Sequence, residues 1–383
     1  MPEELLKQHS EQLLVQSALL VLRQCAVPKL NYLLRCSPPA CIAEQAAHFD
    51  TTLITDAYDK LELRCDERTP WVEQLLRLRL RHGGFGLTSA ARTSPAAYVA
   101  SVAAVRDTAV FSPFCAAACP LPAGTLLHGW LTDGMTRLRE ATPGPQLESK
   151  LPPSASSFFS FYANAAPTLS ASLQSSISDL ANEHSYRACR TAAEQLRQQD
   201  GSAALAHLTA ISAPFASAWK RAAPTQPLAT LLDKQYRIAA RLNLGLPPLS
   251  SNQQLPADCP LCSDGENALA DDPWHFLVCN SQRNREVTSR HDAVKDALYH
   301  AVLMTGGQAR REVRNLQTGS DLRPDLQIVY PGRHVLTDVA VAHPLASRGR
   351  QHPTNTTHAA KMLQQSKREK YAAMACGLLA RVL

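Results

Sequence analysis

Apolar residues recur at helical spacing from the start of the chain to about residue 140, in a background rich in Leu, Ala, Gln and Arg, and predict a mostly helical region. Within it, WVEQLLRLRLRHGGFGL (71–87) reads as a helix stopped by Gly83 and Gly84, with no Gly-Lys-Ser/Thr to make that cluster a phosphate loop. LLVQSALLVLRQCAV (13–27) is the most apolar early stretch, interrupted by Gln16, Arg23 and Gln24. It is shorter than a membrane span and lacks a signal-peptide cleavage pattern, so it predicts a buried amphipathic helix. TPGPQLESKLPPSASS (142–157) has the composition of a linker or exposed loop. A second helical segment follows from about 170 to 243, and LPPLSSNQQLPAD (246–258) marks a further boundary. There is no internal repeat.

Towards the C-terminus the pattern changes. RPDLQIVYPGRHVLTDVAV (323–341) holds two apolar runs on either side of Pro-Gly, which predicts a hairpin with strands at 325–330 and 335–342. THAAKMLQQSKREKYAAMACGLLARVL (357–383) then reads as a helical segment. Each hairpin strand carries one acid, Asp325 and Asp338. An even-numbered turn sets them on one face, directly opposite or as diagonal neighbours at roughly 7–8 Å.

Composition narrows the choices. A chain of 383 residues with 45% hydrophobic and 19% charged residues suggests a soluble protein of two or three domains. Its eleven cysteines, without a secretory signal, point to a reducing compartment, where a CxxC spacing indicates metal before disulfide. Charge is unevenly spread: residues 281–383 hold 16 Lys and Arg against 8 Asp and Glu, a net of +8 in a chain of +6. A basic C-terminal quarter suits a polyanionic partner.

The strongest metal signal is CPLCSDGENALADDPWHFLVC, in which Cys259, Cys262, His275 and Cys279 form C-x2-C-x12-H-x3-C. Zn²⁺ takes four tetrahedral N/S ligands; a CxxC turn supplies two, and a following helical turn presents His and Cys together. Four ligands leave no open position, so this zinc is expected to be structural. Asp271 and Asp272 fall between the ligands and read as solvent-facing turn residues.

The hairpin acids invite different chemistry. Two neighbouring carboxylates repel unless a cation lies between them, and a hard ion such as Mg²⁺ takes oxygen ligands and keeps some of its waters. Such an ion activates water and neutralises charge on a phosphate. Glu312, in GGQARREVRNL, offers a third acid near the end of an expected helix. Lys367 and Lys370, in SKREKY, offer cations for the attacking water or the developing charge.

R-P-D-x12-D preceded by a CCHC knuckle resembles the C-terminal end of non-LTR retrotransposon proteins of the restriction-like-endonuclease type. The resemblance is specific over 259–371 and loose upstream, where no Phe/Tyr-x-Asp-Asp polymerase signature occurs. It implies the C-terminal part of a reverse-transcriptase-like protein without its palm, ending in a PD-(D/E)xK-type nuclease. Asp325 and Asp338 would be the metal-binding acids, Glu312 the upstream helix acid, and Lys367 or Lys370 the migrated lysine. Ala340 stands where the D-x-K lysine would be, which leaves Lys361, Lys367 and Lys370 competing. The implied architecture is a mainly α region (1–145), a helical linker region (146–250), a zinc knuckle (251–285) and an α/β restriction-endonuclease-like domain (286–383). The implied activity is Mg²⁺- or Mn²⁺-dependent nicking of a DNA target site, in the nucleus for a retroelement-derived protein and otherwise in the cytoplasm. DNA would be the partner, with element RNA as a further candidate and no membrane. A nucleic-acid-binding remnant with a dead nuclease and a helical interaction scaffold are the alternatives.

Overall fold

The computed structural model describes residues 14–105, 120–163, 167–200, 203–225, 229–248, 258–259, 275, 279, 285–313, 323–340, 352–355, 358–370 and 379–380. The protein is mainly helical, with a small sheet near the C-terminus. Its contacts divide it into two compact units, Met1–Asp200 with Ile211–Ser250, and Gly201–Ala210 with Ser251–Leu383. The boundary expected at 246–258 falls at that division. Among the described residues no helix is long and apolar enough to cross a membrane.

The first unit opens with α1 (Val15–Val21), a π-helical turn (Leu22–Ala26) and α2 (Val27–Cys36). Of the polar residues that interrupt the apolar stretch, Gln24 is exposed, and Gln16 and Arg23 are buried. The Gln16 side chain donates to Ala222 O and Ala229 O and accepts from Leu231 N, each at 2.9 Å. Arg23 donates to Lys220 O at 2.9 Å. Both therefore tie this end of the chain to segments some two hundred residues away. After α3 (Ala43–Lys60) and α4 (Pro70–Arg77) comes α5 (Ala90–Val105), whose Ala96, Ala97, Ala100 and Ala103 are all buried. Small side chains on several faces let α2, α3, α6 (Leu126–Ala141) and α8 (Pro167–Asp200) pack closely around it. Asp50 of α3 accepts from Ala90 N at 2.6 Å, Ala91 N at 3.1 Å and the Ser89 hydroxyl, and so caps α5 from another helix.

Two sequence expectations are corrected in this unit. Helix α4 ends at Arg77, well before the glycines. In LLRLRLR the leucines alternate with arginines at period two, a pattern that one helical face cannot bury. The chain instead doubles back, and Phe85 N and Leu87 N donate to Leu75 O and Leu76 O. Gly84 lies so close that a Cβ there would meet Leu78 O at 2.1 Å. The buried Lys220 ammonium fastens the turn, donating to Gly83 O at 2.6 Å, Gly84 O at 2.9 Å and Asn243 Oδ1. The presumed linker 142–157 is packed as well: Leu147, Leu151 and Ala155 join the main core with α7 (Phe158–Ala163), α6 and α8. Their apolar side chains outweigh the Pro, Gly and Ser around them.

In the second unit α9 (Arg285–Met304) precedes a three-strand antiparallel meander of β1 (Gln308–Arg311), β2 (Leu326–Tyr330) and β3 (Arg333–Thr337). Helix α10 (His358–Lys370) follows, and β4 (Leu379–Ala380) pairs parallel with β3. Residues 379–380 were expected to be helical; here pairing with the open edge of β3 overrides helix propensity. The second hairpin strand begins at Arg333 and ends at Thr337, earlier than the 335–342 expected, because pairing starts directly after the Pro331-Gly332 turn. Val302, Leu326 and Ile328 form its core with Leu298, Tyr299 and Tyr330.

Glu67 and Arg241 form a buried ion pair with two contacts, one at 3.1 Å. Burial pushes the Glu67 carboxyl up, but hydrogen bonds from Arg241 and the Arg64 backbone prevail and hold it below its ordinary value. Replacing Glu67 with Ala is expected to cost about 3–5 kcal/mol, because the guanidinium stays buried without its carboxylate. A carboxylate with a lowered folded pKa stabilises above its unfolded value and loses that contribution as pH falls through the folded one. The gap in denaturation free energy between parent and Glu67→Ala should therefore narrow on acidification below about pH 4.5. A gap independent of pH would contradict the pair.

Candidate metal centre and candidate active site

Cys259, His275 and Cys279 converge: one ligand atom from each lies within 4.8 Å of the others. Both cysteines are buried and His275 is half-buried. Residues sixteen apart in the chain meet there, with the soft donors that favour Zn²⁺. Cys262, the fourth residue of the motif, lies outside the described residues, as do Asp271 and Asp272. The three described donors can bind a metal, and their chemistry is compatible with zinc.

The second constellation grows out of the β2–β3 hairpin. Pro331 and Gly332 form a two-residue turn between the paired Tyr330 and Arg333, and Gly332 takes φ +72°, a left-handed conformation that glycine adopts without strain. The register then runs Leu326 to Thr337. One step further, Asp325 and Asp338 stand opposite each other, as the even-numbered turn requires. Val339 N donates to Asp325 Oδ2 at 2.6 Å, which fastens the acid across the strand ends. Asp338 is only 4% exposed and is ion-paired with Lys367 of α10. Of the three lysines in competition, Lys367 is thus the one brought to a hairpin acid; Lys361 and Lys370 are exposed on the same helix.

Glu312 is not a helix residue. Helix α9 ends in paired bonds from Gly306 N to Leu303 O and from Gly307 N to Val302 O, with Gly306 at φ +77°. The chain then enters β1, and Glu312 sits just beyond it, its N–H donating to Asp325 O at 3.0 Å. Its carboxylate accepts from Lys295 at 2.8 Å, with Arg323 at 3.7 Å. The Lys295 hydrogen bond holds the Glu312 carboxyl below its usual value.

Three residues of α9 belong to this cluster and were not singled out from sequence. His291 Nε2 lies 3.1 Å from Asp325 Oδ2. Asp292 accepts from Lys295 at 2.9 Å. Lys295, 6% exposed, bridges Asp292 and Glu312, and the hydrogen bond to Glu312 raises its pKa against the opposing effect of burial. The available signal was spacing: His291, Lys295, Leu298 and Val302 share one face of the helix, and Leu298 and Val302 belong to the sheet-side core. A His and a Lys continuing an apolar stripe are polar groups placed inside.

No known family model matches the chain, and no curated protein matches it.

The metal centre predicts about one Zn²⁺ per chain in freshly purified, reduced protein. Cys259→Ser combined with His275→Ala should abolish that content, read by elemental analysis. Protein that is fully reduced and free of zinc would refute the assignment.

Proposed function

We propose that the second unit is a metal-dependent DNA endonuclease of the PD-(D/E)xK type, with a structural CCHC zinc knuckle, on a chain derived from the C-terminal part of a restriction-like-endonuclease retrotransposon protein. The observation that carries this reading is the placement of Asp325 and Asp338 one residue beyond the last paired residues, Leu326 and Thr337, with Lys367 of the following helix on Asp338. A helix, an antiparallel meander, a helix and a parallel strand make a small mixed α/β unit, which is compatible with this reading.

The donor set suits a hard cation. Both Asp325 hydrogen bonds fall on Oδ2, and among the described residues Oδ1 accepts none. Asp325 and Asp338 would hold Mg²⁺ or Mn²⁺, which supplies a polarised water and neutralises charge on the phosphate. Lys367 pairs with the buried Asp338 and would bring a cationic donor to the place where phosphate charge develops. Glu312 sets the strand-end backbone through its bond to Asp325 O and orders Lys295. The net +8 of residues 281–383 would draw the phosphate backbone to this unit.

A nucleic-acid-binding remnant is the second reading, favoured by Ala340 at the ordinary lysine position. A plasmid-nicking assay with and without Mg²⁺ separates the two. Asp325→Ala and Asp338→Ala should each abolish nicking while DNA binding persists, since either change leaves a metal short of an oxygen ligand. Lys367→Ala should lower the rate more than Lys370→Ala. If folded Asp325→Ala and Asp338→Ala proteins nick as fast as the parent, the hairpin is structural.

Affinity for DNA should fall steeply with salt, the logarithmic slope being about −0.9 per phosphate neutralised. Measured between low and moderate salt, a flat response would favour the interaction scaffold instead.

A further inference from the structure

We propose that His291 is a positioning residue: it fixes the Asp325 carboxylate so that Oδ1 is the oxygen offered to a divalent cation. This rests on the nuclease reading above and assigns a role to a residue outside the acid–lysine motif.

Asp325 lies at the bend entering β2. The terminal torsion of an aspartate is broad, so a single hydrogen bond leaves the carboxylate free to swing. Here two donors from separate elements meet on one oxygen. Val339 N reaches Oδ2 at 2.6 Å from the end of β3, and His291 Nε2 reaches it at 3.1 Å from α9. Since Oδ2 is an acceptor, Nε2 is the donating nitrogen. The carboxylate plane is thereby set, and Oδ1 remains for a ligand.

His291 Nδ1 lies 3.4 Å from Asp292 Oδ1, the oxygen that accepts from Lys295 at 2.9 Å. Lys295 also donates to Glu312 at 2.8 Å, and Glu312 N donates to the Asp325 carbonyl. The circuit closes on the residue from which it started. Orientation of Asp325 thus depends on α9 as well as on its own hairpin.

A purely structural role would make His291 one more bond between helix and sheet. That contact already has other support: Leu298, Tyr299 and Val302 pack on the strands, and the Thr305 hydroxyl bonds Tyr330 Oη at 2.7 Å. Loss of the imidazole should therefore leave stability almost unchanged and act on the metal. Partners that orient a metal ligand typically contribute 10–100-fold in metal affinity.

The test measures Mn²⁺ binding to the zinc-loaded 383-residue chain by the loss of the free-ion electron paramagnetic resonance signal, with thermal melting alongside. His291→Leu, which fills the space without a donor, should bind Mn²⁺ about 10–100-fold more weakly and melt close to the parent. His291→Gln, which returns an N–H near the position of Nε2, should recover most of the affinity. The proposal is overturned if His291→Leu binds like the parent while Asp325→Asn does not, with the nuclease reading left standing. It is also overturned if the leucine and glutamine variants both fail to fold, because His291 is then structural. If Asp325→Asn itself binds Mn²⁺ like the parent, the nuclease reading fails and the proposal falls with it.

Discussion

The register of the β2–β3 hairpin is the constraint on which the second unit depends. A two-residue turn at Pro331-Gly332 sets Leu326 against Thr337, and with that pairing Asp325 stands opposite Asp338. Sheet side chains alternate with period two, so a slip of one residue would send Leu326 and Ile328 out of the core and part the acids. Core and candidate site are thus specified together. Leu326 and Ile328 hold the register that places the carboxylates, and Gly332 supplies the left-handed backbone that keeps the turn short.

Charge burial imposes a second requirement, met differently in the two units. In the first, Glu67 is matched by Arg241, Lys220 is surrounded by carbonyl oxygens, and Asp50 takes the exposed N–H groups of a helix end. Each of these joins segments distant in sequence, so the charges act as specific fasteners between helices. In the second unit the buried charges gather at one end of the sheet. Asp338 with Lys367, and Lys295 with its half-exposed partners Asp292 and Glu312, lie on or beside the strand ends.

Much of this was legible in sequence, for identifiable reasons. Short-range rules found the hairpin: Pro-Gly, two apolar runs and an even loop suffice to pair Asp325 with Asp338. Ligand spacing found Cys259, His275 and Cys279, because it reflects local loop and helix geometry. Sequence was silent where long-range contacts decide. Nothing local shows that Leu147 and Leu151 enter a core from a Pro-rich stretch, or that Leu379–Ala380 pairs with β3. Glu312 lies outside the helix because a Schellman end at Gly306-Gly307 stops α9 at Met304.

The position of Lys367 follows from these same contacts. Ala340 stands two residues beyond Asp338, and the cation that meets this acid comes from helix α10 instead. A strand lysine is positioned by its own ladder, whereas a helix lysine is only as well placed as its helix. Helix α10 is bounded on its far side by β4, whose parallel pairing with β3 fixes Val335 against Leu379 and Leu336 against Ala380. Leu336 is two residues from Asp338. The chain that leaves the acid thus returns, after the helix, to the strand that bears it, and the crossover brings Lys367 to Asp338. Because Asp338 meets a helix lysine, the local acid–lysine geometry depends on the whole crossover, the short strand β4 included.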